Sequence, residues 1–286
     1  MSNNPNSDKL DSLGFITHNP EEPLYKYTSL STFKEVLKNN TLRFSNPAIL
    51  NDPFEFSDDC FSYDLEEENF RKLLNDSFTE NEKKEFNRDN SFNNFSKETF
   101  VKTYKYRTDY DKATALVFCT SLSPLIPLMW AHYSEHHKGV CFGIKLPTDL
   151  RNDTEMVITR GVRYNPIIET HSIFTRDDRE IMLLAYNWVY SKSNVWDYEK
   201  EMRTYRRKRG PIPLNKDFVV DRNEDYKDLP FDKDSLVEIY YGLHTTQKDI
   251  QEIEELIKSN GYNKLLKRFK IEKIKGTYNL ERKQFP

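Results

Sequence analysis

The run ATALVFCTSLS, residues 113–123, constrains the fold of this 286-residue chain more than any other stretch. Its apolar middle reads as a buried strand, and its end is a cluster of small hydroxyl residues. The other strands announce themselves by alternation: LYKYTS (24–29), TLRFS (41–45), VCFGIKL (140–146), MVITRGVRY (156–164) and WDYEKEMRTYR (196–206). Helix starts are marked in a different way. Thr32 and Glu35 stand in capping-box spacing, with Phe33, Val36 and Leu37 on one face. Pro127 opens PLMWAHYSEHH, which must end before Gly139, and a further helix is expected over 178–191. Thr246 and Asp249 cap a helix between LVEIYYG and KRFKIEKIKGTY, a strand–helix–strand unit. Strands and helices are mixed without regular alternation, so the predicted class is α+β.

Residues 1–22 are polar, with Pro5, Pro20 and several asparagines, and read as a loose N-terminal arm. The remainder, 23–286, is expected to form a single domain. Within it, residues 62–110 are charged and asparagine-rich with helical patches such as FRKLLNDSF, the pattern of a helical insertion. Charged residues make up 31% and hydrophobic residues 37%, the composition of a soluble protein. The net charge of −3 argues against a general nucleic-acid coater, although charge is unevenly spread. Residues 52–68 carry eight Asp or Glu and no Lys or Arg, whereas 261–286 carries eight Lys or Arg against two Glu. Three cysteines, one necessarily unpaired within the chain, point to a reducing compartment. The N-terminus lacks the regions of a signal peptide, and no apolar run is long enough to span a bilayer. The expectation is a cytoplasmic protein without a membrane partner.

Four constellations carry candidate chemistry. Tyr25 and Tyr27 lie on one face of the first strand with Lys26 on the other, a pattern that also suits core tyrosines and an exposed lysine. In NPAILNDPFE (46–55), two prolines shape a loop in which Asn51 and Asp52 either fix a turn or line a pocket. MWAHYSEHHKG places His132 and His136 four apart, as metal ligands can be. No glutamate follows His132, so the zinc-protease pattern is missing and no metal site is predicted. His132 and Tyr133 are expected instead to line a pocket, with Trp130 as an apolar wall. In WDYEKEMR, strand alternation would set Glu199 and Glu201 on one face, opposite Tyr198, Lys200 and Met202. Paired carboxylates raise each other's pKa, so they need a solvent, cation or ligand reason. Neither GxGxxG nor GxxxxGK occurs, which disfavours a Rossmann or P-loop site.

A basic residue on a first strand, a small-hydroxyl strand end (Thr120, Ser121) and a Glu-x-Glu on a late strand occur in that order. The order resembles that of the motifs in NAD-consuming ADP-ribosyltransferases. Breaking the bond to nicotinamide develops positive charge on the ribose, which a carboxylate stabilises, while a basic group grips the diphosphate. The segment series LYKYTS…LRFSNPAILNDPFE…FCTSLS…MWAHYSEHHKGVCFGI…WDYEKEMR resembles a large bacterial family, domain of unknown function 2971, from about Leu24 to the terminal strand region. That family is often found near phage-defence and abortive-infection loci, which implies a defence or toxin role. LYKYTSLSTFKEVLKNNTLRFS also resembles the start of nucleic-acid-modifying ADP-ribosyltransferase toxins, with Lys26 where those have histidine.

These resemblances imply an ADP-ribosyltransferase-like mixed β core with flanking helices. They imply NAD as substrate, Glu201 as catalytic carboxylate and Glu199 as the residue orienting the acceptor. Tyr25, Lys26, Tyr27, Thr28, Asn51, Asp52, Thr120, Ser121, Trp130, His132 and Tyr133 would form the NAD site. Arg203, Arg206 and Arg207, with the rest of the RRKR run at 206–209, would meet an anionic macromolecule such as nucleic acid, and a neutralising or sensor protein is the expected partner. Two other classes stay open: a nucleotide-sensing or protein-binding regulator without turnover, and a nuclease-like toxin using His132, Tyr133, Asp52 and Glu55.

Overall fold

The computed structural model describes residues 10–86, 94–147, 149–151, 155–208, 224–262 and 265–285. A strand–helix–strand unit comes first: β1 (Leu24–Thr28), α1 (Leu30–Asn39) and β2 (Thr41–Ser45). The Ser29 side chain caps α1 by accepting the Thr32 N–H, so the helix begins before the Thr32–Glu35 pair that was expected to open it. Phe33, Val36 and Leu37 form its buried face, as their spacing requires. After the short β3 (Phe61–Ser62) come the inserted helices α2 (Glu67–Ser77), α3 (Glu80–Phe86) and α4 (Lys97–Thr114). The insertion is packed onto the domain: Phe70 and Tyr106 are buried, and the rings of Phe70 and Phe100 meet Phe174 at 5.9 and 5.4 Å.

The chain continues through β4 (Leu116–Ser121), α5 (Pro127–Tyr133), β5 (Val140–Ile144), β6 (Asp149–Arg151), β7 (Glu155–Gly161), β8 (Arg163–Asn165) and β9 (His171–Ser172). Next are α6 (Asp178–Tyr190), β10 (Ser191–Ser193), β11 (Glu201–Lys208), β12 (Tyr226–Pro230), β13 (Leu236–Tyr241), α7 (Gln247–Ser259), β14 (Lys267–Lys273) and β15 (Leu280–Gln284). Among the described residues the main sheet runs β15-β14-β13-β5-β1-β4-β11-β7-β6, with β2 joining β4 and β12 joining β2. Its pairings are antiparallel except β13 with β14, which α7 connects in the expected strand–helix–strand unit. Thr246 caps α7 by accepting the Asp249 N–H. The class is α+β, with a largely antiparallel central sheet.

One core cluster joins α1 and α7 to the sheet through Phe33, Leu37, Phe142, Ile239 and Ile253. A second joins the insertion and α6 through Phe56, Phe70, Trp188, Tyr190 and Tyr205. With layers on more than one side, β5 and the first five residues of β11 are buried without alternation. Residues 10–22 are packed rather than loose, which corrects the expected arm over its described part. Leu13 and Phe15 are buried, Asp11 pairs with Arg160 at 2.9 Å, and the Ile16 carbonyl accepts the Gly161 N–H.

The pairing of β4 positions the site. Tyr25 of β1 stands opposite Ser121, and Ser121 stands opposite Glu201 of β11. Residues from three distant segments thus form one cross-strand row.

Candidate active site

The loop after β2 is built to deliver one carboxylate. Asn46 is buried, accepts the Ala48 N–H, and donates to the carbonyls of Lys112, Ala113 and Ala115 at the end of α4. Prolines 47 and 53 limit the chain between, and Asp52 accepts the Phe54 N–H at 3.0 Å while its carbonyl accepts the Glu55 N–H. The turn role of Asp52 is therefore the one that appears. Glu55, placed by that turn, is 4% exposed.

WDYEKEMR is not a continuous strand. Asn194–Glu199 is a 3-10 turn, Lys200 takes a left-handed conformation with φ 46°, and β11 begins only at Glu201. Strand alternation therefore does not bring Glu199 and Glu201 together. A shared cation does. Lys192 Nζ lies 2.7 Å from Glu199, 3.3 Å from Glu55 and 3.5 Å from Glu201, and its side chain is 4% exposed. Arg203, fully buried, pairs with Glu55 and, through Nε at 2.9 Å, with Glu201, and it donates to the Val189 carbonyl. Three buried acids thus face two cations, one acid more than the cations can pair one to one.

The cluster settles its charges unevenly. Burial pushes the Glu201 carboxyl up, but Arg203 and Lys192 overcome it and hold the group down at about 2. For Glu55 burial prevails: with the Glu201 charge beside it, its pKa is raised despite Arg203 and Lys192. Burial also works against the Lys192 ammonium, yet Glu201, Glu55 and Glu199 raise its pKa. Glu201 is ionised and Lys192 is charged at neutral pH.

The hydroxyl cluster braces the backbone rather than the carboxylates. Ser121 donates to the Glu199 carbonyl at 2.7 Å, and Thr120 donates to the Met202 carbonyl at 2.8 Å. Tyr133 holds Glu199 together with Lys192, donating at 2.6 Å while accepting from Asn51 at 3.2 Å. Tyr133→Phe is expected to cost about 1.5 kcal/mol or more in urea unfolding, the usual value of a hydrogen bond to a charged group. No measurable loss would mean that Glu199 does not depend on this bond.

A cleft of about 160 Å³ opens beside the cluster, with Glu55, Lys192, Glu199 and Glu201 in its wall. Tyr25, Lys26, Tyr27, Asn51, Thr120 and Tyr133 also line it. Lys26 Nζ donates to the Cys119 carbonyl at 2.9 Å and lies over the Phe118 ring. Tyr27 donates to the Ser123 carbonyl, and Tyr25 reaches Glu238 at 3.2 Å.

The remaining predicted residues lie elsewhere. Trp130 is fully buried, packs edge-on against Tyr27 and donates to the Pro124 carbonyl, so it is core behind the cleft rather than a wall of it. Thr28 is buried and its carbonyl accepts from Ser134. A Cβ at Gly139 would meet that same carbonyl at 2.2 Å, so only glycine fits there. His132 is exposed beside Tyr198, and α5 ends at Tyr133, so His132 and His136 do not share a helix face. Among the described residues no group of three or more His, Cys, Asp or Glu is placed to hold a metal. Of the four residues of the nuclease alternative, Glu55 and Tyr133 line the cleft and Asp52 and His132 do not.

Arg203, expected to meet an acceptor, is instead fully buried in the cluster. Arg206 pairs with Glu155 and Arg207 with Asp111. Arg206 is five residues along β11 from Glu201, roughly 17 Å at strand rise. Arg209 lies outside the described residues.

Lys192 was missed by sequence reading altogether. Its signal was faint: a lysine between the aromatic end of α6 and Trp196, over whose ring its Nζ now sits at 4.8 Å.

Residues 129–204 match the family model described as Protein of unknown function (DUF2971). The DUF2971 match supports the family resemblance over that stretch. It takes in Tyr133, Lys192, Glu199, Glu201 and Arg203, whereas Glu55, Asn51 and β1 lie outside it. No curated protein and no solved structure matches the chain. No helix among the described residues is long and apolar enough to cross a membrane.

Proposed function

We propose that this chain transfers ADP-ribose from NAD to a macromolecular acceptor, as a toxin or effector in anti-phage defence. The observation that carries the reading is the cross-strand row Tyr25–Ser121–Glu201, which sets the three motif segments side by side at the wall of one cleft. A cleft of about 160 Å³ is smaller than the ~300–1,000 Å³ of pockets that enclose a whole ligand, so it suits the nicotinamide–ribose end of NAD.

In the proposed reaction the bond from ribose C1′ to the nicotinamide nitrogen breaks, and its electron pair leaves with nicotinamide. The positive charge left on the ribose is stabilised by the ionised Glu201. An acceptor oxygen or nitrogen, oriented by Glu199, then bonds to C1′ and gives up its proton to water. Lys26 supplies positive charge for the diphosphate. Arg203 holds Glu201 and has no role toward the acceptor in this scheme, which leaves the acceptor surface to other residues.

A second reading has its own support. Glu199 and Glu201 are both matched by cations within the cluster, an arrangement suited to binding a nucleotide without turning it over. Incubation with adenylate-labelled NAD and a cell lysate separates the two. Label in nucleic acid or protein together with released nicotinamide is the expected result. Tight NAD binding with no nicotinamide release would replace transferase with sensor, and metal-dependent loss of nucleic acid without NAD would overturn both.

A further inference from the structure

We propose that the β14–β15 hairpin, with the sheet face beside it, binds single-stranded nucleic acid. The hairpin stands at one end of the strand order, and its tip is a defined turn. Thr277 donates through both its N–H and its hydroxyl to the Ile274 carbonyl, and the Ile274 N–H bonds the Asn279 carbonyl. Gly276 supplies the left-handed conformation of the turn, with φ 78°. The turn leaves Tyr278 99% exposed, its ring held wholly in solvent. Lysines and arginines on an edge strand protect it from pairing with other chains, but an exposed ring serves no such end. What the ring offers is a flat surface on which an unpaired base can stack.

The face beside the tip is basic. Residues 261–286 hold eight Lys or Arg against two Glu, and the fold keeps both acids off one face. Glu272 and Glu281 stand opposite each other across the strand pair, so they share a face. Alternation along β14 puts Lys273 on the other face, with Lys267, Phe269 and Ile271. Arg282, opposite Ile271, belongs to that face too. It lies over the Phe269 ring at 4.7 Å, donates to the Tyr240 hydroxyl and stays 48% exposed. Beneath it Glu238 is buried, 3.7 Å from Lys267 and 4.0 Å from Arg282, and accepts from Tyr25 and Tyr240. The hairpin's ion pairs involve Lys267, Arg268, Arg282 and Lys283. Lys273 and Lys275 are exposed and have no carboxylate partner among the described residues. Burial first, and then the charges of His244, Lys273 and His136, lower the His137 pKa, so Lys273 stands among other bases. Cations beside a fully exposed ring fit a phosphate chain with unstacked bases better than a duplex, whose bases are already stacked.

A short labelled oligo(dT), a duplex of the same length and phosphatidylglycerol vesicles test the assignment, all without NAD. In fluorescence anisotropy the single strand is expected to bind about tenfold more tightly than the duplex, and the vesicles not to bring down the protein. Tyr278→Ala is expected to weaken the single strand about tenfold and to leave the melting temperature unchanged, because the ring is exposed. Lys273→Gln with Lys275→Gln should reduce the slope of log affinity against log salt by about 0.7 for each lysine. Equal or tighter binding to the duplex or the vesicles, no binding of the single strand, an affinity indifferent to Tyr278→Ala, or an unchanged salt slope would overturn the site. None of these outcomes depends on NAD turnover, so this surface and the transferase reading stand or fall separately.

Discussion

Replacing Lys192 with methionine is expected to destabilise the fold by about 3–5 kcal/mol at pH 7, the cost of removing one partner from a buried ion pair. The reason is the imbalance already present. Glu55, Glu199 and Glu201 all lie within 3.5 Å of the Lys192 ammonium, and without it the cluster keeps Arg203, which pairs with Glu55 and Glu201 but not with Glu199. Methionine keeps much of the side chain's length, so the loss reports charge more than packing. The pH dependence gives a second check. Glu201 is lowered from 4.5 to about 2, so its contribution to stability is present above 4.5 and is lost as pH falls toward 2. Part of that contribution comes from Lys192, and the gap between wild type and variant should narrow below pH 4.5. Lys192 itself is raised above 10.5, so what it adds is fully present below that pH and is lost only as pH rises through its folded value. Urea unfolding of both proteins across this range measures the gap. A difference below about 1 kcal/mol at pH 7 would mean that the cluster contributes no more than an exposed ion pair.

The same cluster explains why the sequence revealed the fold better than the site. Strands such as LYKYT and TLRFS, and the β13–α7–β14 unit, were legible because alternation and caps are local signals. The start of α1 was misplaced because Ser29, Thr32 and Glu35 offer two capping choices three residues apart, and the Ser29 side chain takes the Thr32 N–H. Burial of charge has no local signal at all. EMRTY reads as a strand with Glu201 facing NAD and Arg203 an anionic acceptor, yet all five residues are buried, because ion partners from the Asn46–Glu55 loop and from β10 replace the apolar contacts that periodicity detects. The turn before it was hidden for a different reason. Lys200 adopts a left-handed conformation that usually calls for glycine, so nothing in the residue type announced it. Glu199 and Glu201 still converge, as the Glu-x-Glu spacing suggested, but by a turn and a shared lysine rather than by strand alternation.

That convergence makes Glu201→Gln the sharpest test of catalysis. The variant is expected to lower nicotinamide release by about a hundredfold or more, comparable with the loss of one preorganised electrostatic group, and to do so in kcat rather than KM. Glutamine keeps the shape but removes the charge that would face the developing ribose cation. It also leaves the buried Arg203 guanidinium with a neutral partner at the 2.9 Å contact, so the fold will lose stability as well. The two effects must be separated by assaying below the variant's melting temperature, with circular dichroism to show that the protein is folded. Glu199→Gln provides the contrast. It keeps the charge at Glu201 and should preserve most NAD hydrolysis, while transfer to the acceptor falls more steeply because Glu199 is the group proposed to orient the nucleophile. A folded Glu201→Gln that releases nicotinamide at the wild-type rate would leave the carboxylates as structural ion-pair partners and remove the ground for the transferase. Equal, mild effects from both variants would remove it too, since a set of paired charges has no reason to distinguish bond breaking from transfer.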